Sequence, residues 1–207
     1  AGQLLRQGEI VAFPTETVYG LGADALSKTA SEKIYQAKGR PSDNPLIIHI
    51  AKLDDLNQIV DEIPEDLYVL ASEFWPGPLT IIMKKSEKVP YETTGGLETV
   101  AVRMPNHKVA LRLIEKGGGF IAAPSANSSG RPSPTSAEHV FEDMNGKIPL
   151  ILDCGSVSIG LESTIIDLTG NVPVILRPGF ITQVDLENVL GKQVEMDPGI
   201  SGISQTQ

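Results

Sequence analysis

Lys38 and Arg40 stand on either side of Gly39, and Pro41-Ser42-Asp43-Asn44-Pro45 follows directly. Two cations fixed between a helix end and a proline-stiffened turn suit a clamp for phosphate or carboxylate oxygens. The same pair could simply answer the dipole of a helix ending at Gly39. Arg103 closes the apolar run Val100-Ala101-Val102 and precedes Met104-Pro105. A guanidinium at the carboxyl end of a strand can hold a substrate carboxylate in a bidentate pair. It can equally serve a structural ion pair with one of the chain's 26 acids. His49 lies inside the apolar run 46–50, either as a satisfied core residue or as a ligand contact. Its spacing to His107 and His139 offers no zinc signature.

Three hydroxyl-rich segments accompany these charges. The first, Phe13-Pro14-Thr15-Glu16-Thr17-Val18-Tyr19-Gly20-Leu21-Gly22, follows an apolar run and reads as a strand leaving the core to build a site. Its glycines match G-x-G-x-x-A through Ala25, but too far from the strand for a dinucleotide fingerprint; a turning role is expected of them. The second, 124–135, carries Ser125, Asn127, Ser128, Ser129, Arg131, Ser133 and Thr135. Hydroxyls and backbone N–H groups at a helix entrance suit phosphate oxygens, while Thr135 or Ser136 is the expected cap of the next helix. The third pairs Glu162-Ser163-Thr164 with Leu176-Arg177-Pro178-Gly179 at the ends of two strands. Trp75-Pro76-Gly77-Pro78 reads as a structural turn around a core indole.

Strands and helices must alternate to bring these segments together. Strands are predicted at 10–13, 46–50, 79–84, 100–103, 120–123, 150–153, 163–167 and 174–177. Helices are predicted at 29–38, 53–60, 64–74, 108–116, 137–144 and 184–190, with a short one near 3–7. Gly39 suits a helix end, Pro64 a first helical position, and Thr182 with Asp185 a capping box. The pattern is that of an α/β domain spanning 1–196, followed by a polar, aperiodic stretch, 197–207, that reads as a tail or the start of a linker.

The 207 residues suffice for one domain with a real core. A formal net charge of −9 argues against indiscriminate binding to nucleic acid or a membrane surface. Cys154 is the single cysteine, which excludes an internal disulfide and fits a reducing, cytoplasmic setting. No apolar run approaches the roughly 18 residues of a membrane span.

Taken together, the segments resemble the YrdC family of threonylcarbamoyl-AMP synthases. The resemblance rests on Phe13 to Leu21, on Lys38-Gly39-Arg40-Pro41 with Asn44-Pro45-Leu46, and on Trp75 to Thr80. Val102 to Pro105, Ala123 to Asn127 with Pro132 to Thr135, Glu162 to Ile165, and Leu176 to Gly179 complete it in the family's order. It implies a YrdC-like twisted mixed sheet with flanking helices around a positively lined cavity. It implies synthesis of L-threonylcarbamoyl-AMP from L-threonine, bicarbonate or CO2, and ATP, with release of pyrophosphate. The product would feed tRNA threonylcarbamoyltransferase machinery that modifies adenosine 37, with at most weak direct contact to tRNA. By the same resemblance Thr17, His49, Arg103 and Ser163 would hold threonine. Lys38, Arg40, Asn44, Thr99, Ser125, Asn127, Ser133 and Arg177 would serve ATP, with Lys38 and Arg40 as the catalytic cations. Magnesium would arrive with ATP, and no protein side chain is expected to ligate a metal.

Carbamate formation followed by attack on the α-phosphorus chiefly needs positioning and charge neutralisation, so the lack of a nucleophile–base pair agrees with it. Long family members continue into a second small domain. The opening at Ala1 and the 197–207 stretch read as a long form lacking that domain. Two other readings stand beside this one: a carbamoyl-adenylate-forming domain of hydrogenase maturation, and a double-stranded RNA-binding module.

Overall fold

The computed structural model describes residues 1–201. In chain order the elements are α1 (Gly2–Arg6), β1 (Val11–Pro14), β2 (Tyr19–Asp24), α2 (Lys28–Lys38), β3 (Ile47–His49), a 3₁₀ turn (Leu53–Asp55), α3 (Leu56–Ile59) and α4 (Glu65–Phe74). They continue as β4 (Leu79–Lys84), α5 (Tyr91–Thr94), β5 (Thr99–Arg103), α6 (Lys108–Lys116), β6 (Ile121–Ala123) and α7 (Ala137–Met144). The last are β7 (Thr164–Asp167), β8 (Val174–Arg177), α8 (Gln183–Leu190), β9 (Glu195–Met196) and α9 (Pro198–Ser201). Of the expected tail, 197–207, the first part thus includes a single helical turn; 202–207 lie outside the described residues.

Among the described residues the nine strands form one mixed sheet in the order β1-β2-β6-β3-β5-β4-β7-β8-β9. β3 with β5, β4 with β7, and β8 with β9 run parallel; the remaining neighbours are antiparallel. Side chains alternate between the two faces. Ile48, Val102, Ile81 and Ile166 face a large core that includes Ile34 of α2, Leu67 and Leu70 of α4, and Leu186 of α8. On the other face Phe13, Ile121 and Ala123 pack under α1 and α6 through Leu5, Ala110, Leu113 and Ile114. That second core covers one end of the sheet only, and the rest of this face is left to a cavity.

Local chemistry explains the element ends. Ser27 accepts from Ala30 N and Gly39 ends α2 at φ 64, a conformation that favours glycine. Thr182 and Asp185 form the expected capping box of α8, and Ser136 caps α7. Pro64 takes the N-cap of α4 rather than the first helical position.

Two expectations need correction. Tyr19–Asp24, outside every predicted strand, is strand β2, the return of a hairpin whose turn is closed by Thr15 N donating to Val18 O at 3.3 Å. Gly20 and Gly22 therefore do not turn the chain. They let the Phe13 ring lie against β2: a Cβ on Gly22 would come within 2.8 Å of both Phe13 Cε1 and Ile121 Cγ2. The predicted strand 150–153 is reduced to one bridge, Ala12 with Ile151, because Asp153 and Gly155 begin a turn immediately afterwards.

Candidate active site

A cavity of about 310 Å³ opens on the sheet face left bare by the smaller core. That is near the lower end for ligand pockets, roughly 300–1,000 Å³. Eight of the twelve residues singled out from sequence line it, and burial divides them. Thr17, His49, Arg103 and Ser163 are buried at the inner end. Arg40, Asn44, Ser125 and Arg177 lie toward the more exposed mouth. Three arginines against the single lining acid, Glu162, make the cavity positive in an acidic chain.

The inner end is organised by Arg103, which is only 3% exposed. Its Nε donates to Gly77 O at 3.1 Å and its Nη1 to Thr17 Oγ1 at 2.9 Å, while Nη2 pairs with the Glu16 carboxylate. Three of five N–H donors are thus committed, leaving two for a ligand. Burial first, then the charge of Arg177, press its pKa down to about 9, which still leaves a cation at neutral pH. Both readings of Arg103 therefore meet in one group: a buried ion pair at the inner end of a cavity.

Thr17 has a defined polarity. Thr15 Oγ1 gives its only proton to Val18 O at 2.7 Å, so the 2.9 Å contact between the two hydroxyls is donated by Thr17. Thr17 Oγ1 also accepts from Arg103, so what it offers a ligand is an acceptor, suited to an amine or hydroxyl donor. The hairpin turn sets this position, and the loop from Gly155 is laced to it by Ile159 N on Glu16 O and Gly160 N on Thr17 O, both at 2.9 Å.

His49 ends β3 beside Arg103 of β5. Its Nδ1 donates to Ile47 O at 3.0 Å, and the Phe13 ring meets it edge-on with centroids 6.0 Å apart. Burial pushes the imidazole down to about 4, against backbone hydrogen bonds to Ile47 and Ile121, so it is neutral at physiological pH. Ser163 Oγ shares a 2.7 Å hydrogen bond with Thr80 and accepts from Arg177 Nη2 at 3.1 Å. Arg177 also donates Nε and Nη2 to Ser163 O.

Four expected residues do not line the cavity. Lys38 Nζ is buried behind the 124–131 loop, donating to Ser125 O at 2.6 Å, Asn127 O at 2.7 Å and Asn127 Oδ1 at 3.4 Å. Burial, then the charge of Arg40, lower its pKa to about 8, while Asp143 raises it. All three ammonium donors are spent on loop oxygens. Asn127 in turn donates Nδ2 to Ser128 O and Arg131 O. Ser133 donates to the lining carboxylate of Glu162. Burial works to raise the pKa of Glu162, but that bond, its own backbone and the charge of Arg177 win and lower it. Thr99 sits at the start of β5 on the face of Ala101 and Arg103, in a separate depression with Lys84 and Glu98.

Sequence reasoning gave no role to Glu16, Thr15, Glu162 or Tyr35. The first two lie within the hairpin motif, and a carboxylate in an otherwise buried segment was the available signal for Glu16. The single hydroxyl proton of Tyr35 is shared between Asn44 O at 2.8 Å and Glu92 O at 3.0 Å, fixing the turn that carries Asn44; nothing in its spacing reveals that. Among the described residues no three His, Cys, Asp or Glu side chains gather to hold a metal, and no helix is long and apolar enough to cross a membrane.

The profile of the Sua5/YciO/YrdC family, described as telomere recombination, matches residues 3–179. Threonylcarbamoyl-AMP synthase of Pyrococcus abyssi is 57% identical over 204 residues, 99% of this chain and 60% of that protein. The Bacillus subtilis protein of the same name is 53% identical over 202 residues, 97% of this chain and 58% of its own. The solved structure of P. abyssi Sua5 complexed with L-threonine matches with a TM-score of 0.95, covering 97% of this chain and 59% of that one. The chain thus spans under two thirds of the length of these relatives. Full-length HypF, in a phosphate- and nucleotide-bound form, matches at 21% identity and a TM-score of 0.74, a likeness of fold alone.

Proposed function

The chain belongs to the Sua5/YciO/YrdC family, and from that premise we propose that it makes L-threonylcarbamoyl-AMP from L-threonine, inorganic carbon and ATP, releasing pyrophosphate. The observation that carries this reading is the inner end of the cavity, where the Arg103 guanidinium and the Thr17 hydroxyl converge. A space with a buried cation for a carboxylate, an acceptor for an amine and a neutral imidazole fits a small amino acid. The relative solved with L-threonine, 57% identical, supports threonine as that amino acid.

Arg103 takes the threonine carboxylate with its two uncommitted N–H groups. Thr17 accepts from the amine, orienting the nitrogen toward the mouth. Ser163 is held by Thr80 and Arg177 at the wall of the same space. At the mouth Arg40 and Arg177 neutralise phosphate oxygens, and Asn44 and Ser125 contribute hydrogen bonds to the nucleotide. Lys38 serves from behind, fixing the carbonyls of Ser125 and Asn127 so that this loop keeps its shape. Magnesium enters as part of the MgATP substrate; the one lining carboxylate, Glu162, is engaged by Ser133. The reaction makes the chain a nucleotidyltransferase whose product is passed to tRNA-modifying machinery acting on adenosine 37. A cytoplasmic site of action is supported by the single, exposed Cys154.

Pyrophosphate release from ATP tests this. It should require L-threonine and inorganic carbon together; release that follows carbamoyl phosphate instead would refute the reading in favour of carbamoyl-adenylate formation.

A further inference from the structure

The cavity floor changes character along the strands. From mouth to inner end, the chain leading into β3 places Asn44 and Pro45 first, then Ile47, then His49. β5, running parallel, sets Ala101 beside Ile47 and Arg103 beside His49. β6, running the other way, sets Ala123 beside Ile47, and Ser125 follows its end. Ile82 of β4 faces Ala101 across the next pair. Ala123, Ile47, Ala101 and Ile82 therefore form one apolar row across four adjacent strands, and all four line the cavity. Two residues of strand advance about 6.6 Å, so the row lies that far from the level of His49 and Arg103. Ala101 stands between two isoleucines, and its small side chain gives the floor its depth at the centre.

The amino acid occupies the inner end and the nucleotide the mouth, so the carbamate that links them must form above this row. We propose that the apolar row centred on Ala101 receives the third substrate, and receives it as dissolved CO2 rather than bicarbonate. This rests on the threonylcarbamoyl-AMP reading and adds the species and its place. Bicarbonate would have to shed its water onto four side chains that offer no hydrogen bond in exchange, which is costly; the cations Arg40 and Arg177 stand at the mouth, where they meet the carbamate oxygen once it has formed. Bicarbonate would also have to lose hydroxide on the way to a carbamate, and no acid stands in the row to protonate that leaving group. CO2 is neutral and needs neither. The threonine amine, in its neutral form, gives its lone pair to the carbon of CO2; one C=O π pair moves onto oxygen, and the amine proton leaves to water at the mouth. A carbamate oxygen then attacks the α-phosphorus, and the bond from that phosphorus to pyrophosphate breaks. The low polarity that holds His49 down to about 4 also favours the neutral amine this step requires.

Isotopic disequilibrium tests the inference on the unaltered chain. Label is supplied as ¹⁴CO2 or as H¹⁴CO3⁻ in the cold, where interconversion is slow, with ATP and L-threonine, and acid-stable label in the adenylate is followed. CO2 should give an initial burst and bicarbonate a lag, and carbonic anhydrase should erase the difference. A burst from bicarbonate would overturn the inference while leaving the function standing; incorporation from neither would overturn the function itself and this inference with it. Ala101→Val supplies a second measurement, since valine is at home in a strand. Filling the row should cut label incorporation at least about tenfold while threonine affinity stays within about threefold. Unchanged incorporation would overturn the placement at Ala101.

Discussion

Glu16→Gln separates the two roles of Arg103. Both side chains of this pair are nearly sealed from solvent, Glu16 at 7% and Arg103 at 3% exposed. Glu16 also accepts from Asn106 N, so glutamine can keep one of its contacts but not its charge. Breaking a buried pair by removing one charge costs about 3–5 kcal/mol, and a shape-conserving change belongs near 3. For a domain of this size each kcal/mol lowers Tm by roughly 2–4 °C, so a fall of about 6–12 °C is expected. The carboxylate of threonine should then supply the missing counter-charge. Because Glu16 and the ligand compete for one guanidinium, the variant should bind threonine about tenfold more tightly, a gain of about 1.4 kcal/mol. Thermal denaturation across a threonine titration reads both quantities. A variant as stable as the parent, or one that is destabilised and binds threonine more weakly, would refute the argument that the pair and the ligand share Arg103.

Thr17→Val removes the acceptor proposed for the amine; threonine affinity should fall about tenfold, on the scale of a lost hydrogen bond, with ATP affinity nearly unchanged in calorimetry. An equal loss for both ligands would contradict the division of the cavity. His49 is a base whose pKa falls from 6.5 to about 4 on folding, so the unfolded chain binds the extra proton first. Stability should therefore be complete above pH 6.5 and be lost as pH falls toward 4, by about 3 kcal/mol, and His49→Leu should flatten that part of the profile in chemical denaturation. Lys38→Met should free the 124–131 loop, because the oxygens of Ser125 and Asn127 lose their shared donor. Faster amide hydrogen exchange across residues 124–131 and a severalfold rise in KM for ATP, with KM for threonine held, are the expected readouts.

Much of this molecule is readable in its sequence where periodicity or capping chemistry acts locally. Helices α6 and α7 fall where predicted, and Thr182 with Asp185 builds the capping box that its spacing implies. Strand β2 is hidden because Gly20 and Gly22 carry no side chain to show alternation; the reason for them is the Phe13 ring, a partner on the neighbouring strand. Residues 150–152 show the converse, apolar enough for a strand yet reduced to a bridge on β1. The site follows the same division. Arg103 and Thr17 are legible as residue types, but their 2.9 Å contact spans 86 positions, and the claim of Glu16 on the same guanidinium is a tertiary fact. Lys38 points away from the cavity because its donors meet carbonyls of a distant loop, which a K-G-R motif cannot announce.

The most direct measurement is mass-spectrometric detection of the product after incubating the chain with MgATP, L-threonine and ¹³C-labelled bicarbonate. An adenylate of threonine that carries one ¹³C should form in step with pyrophosphate and be missing when threonine is left out. ATP cleavage that proceeds without threonine, or an adenylate without the label, would contradict the proposed reaction.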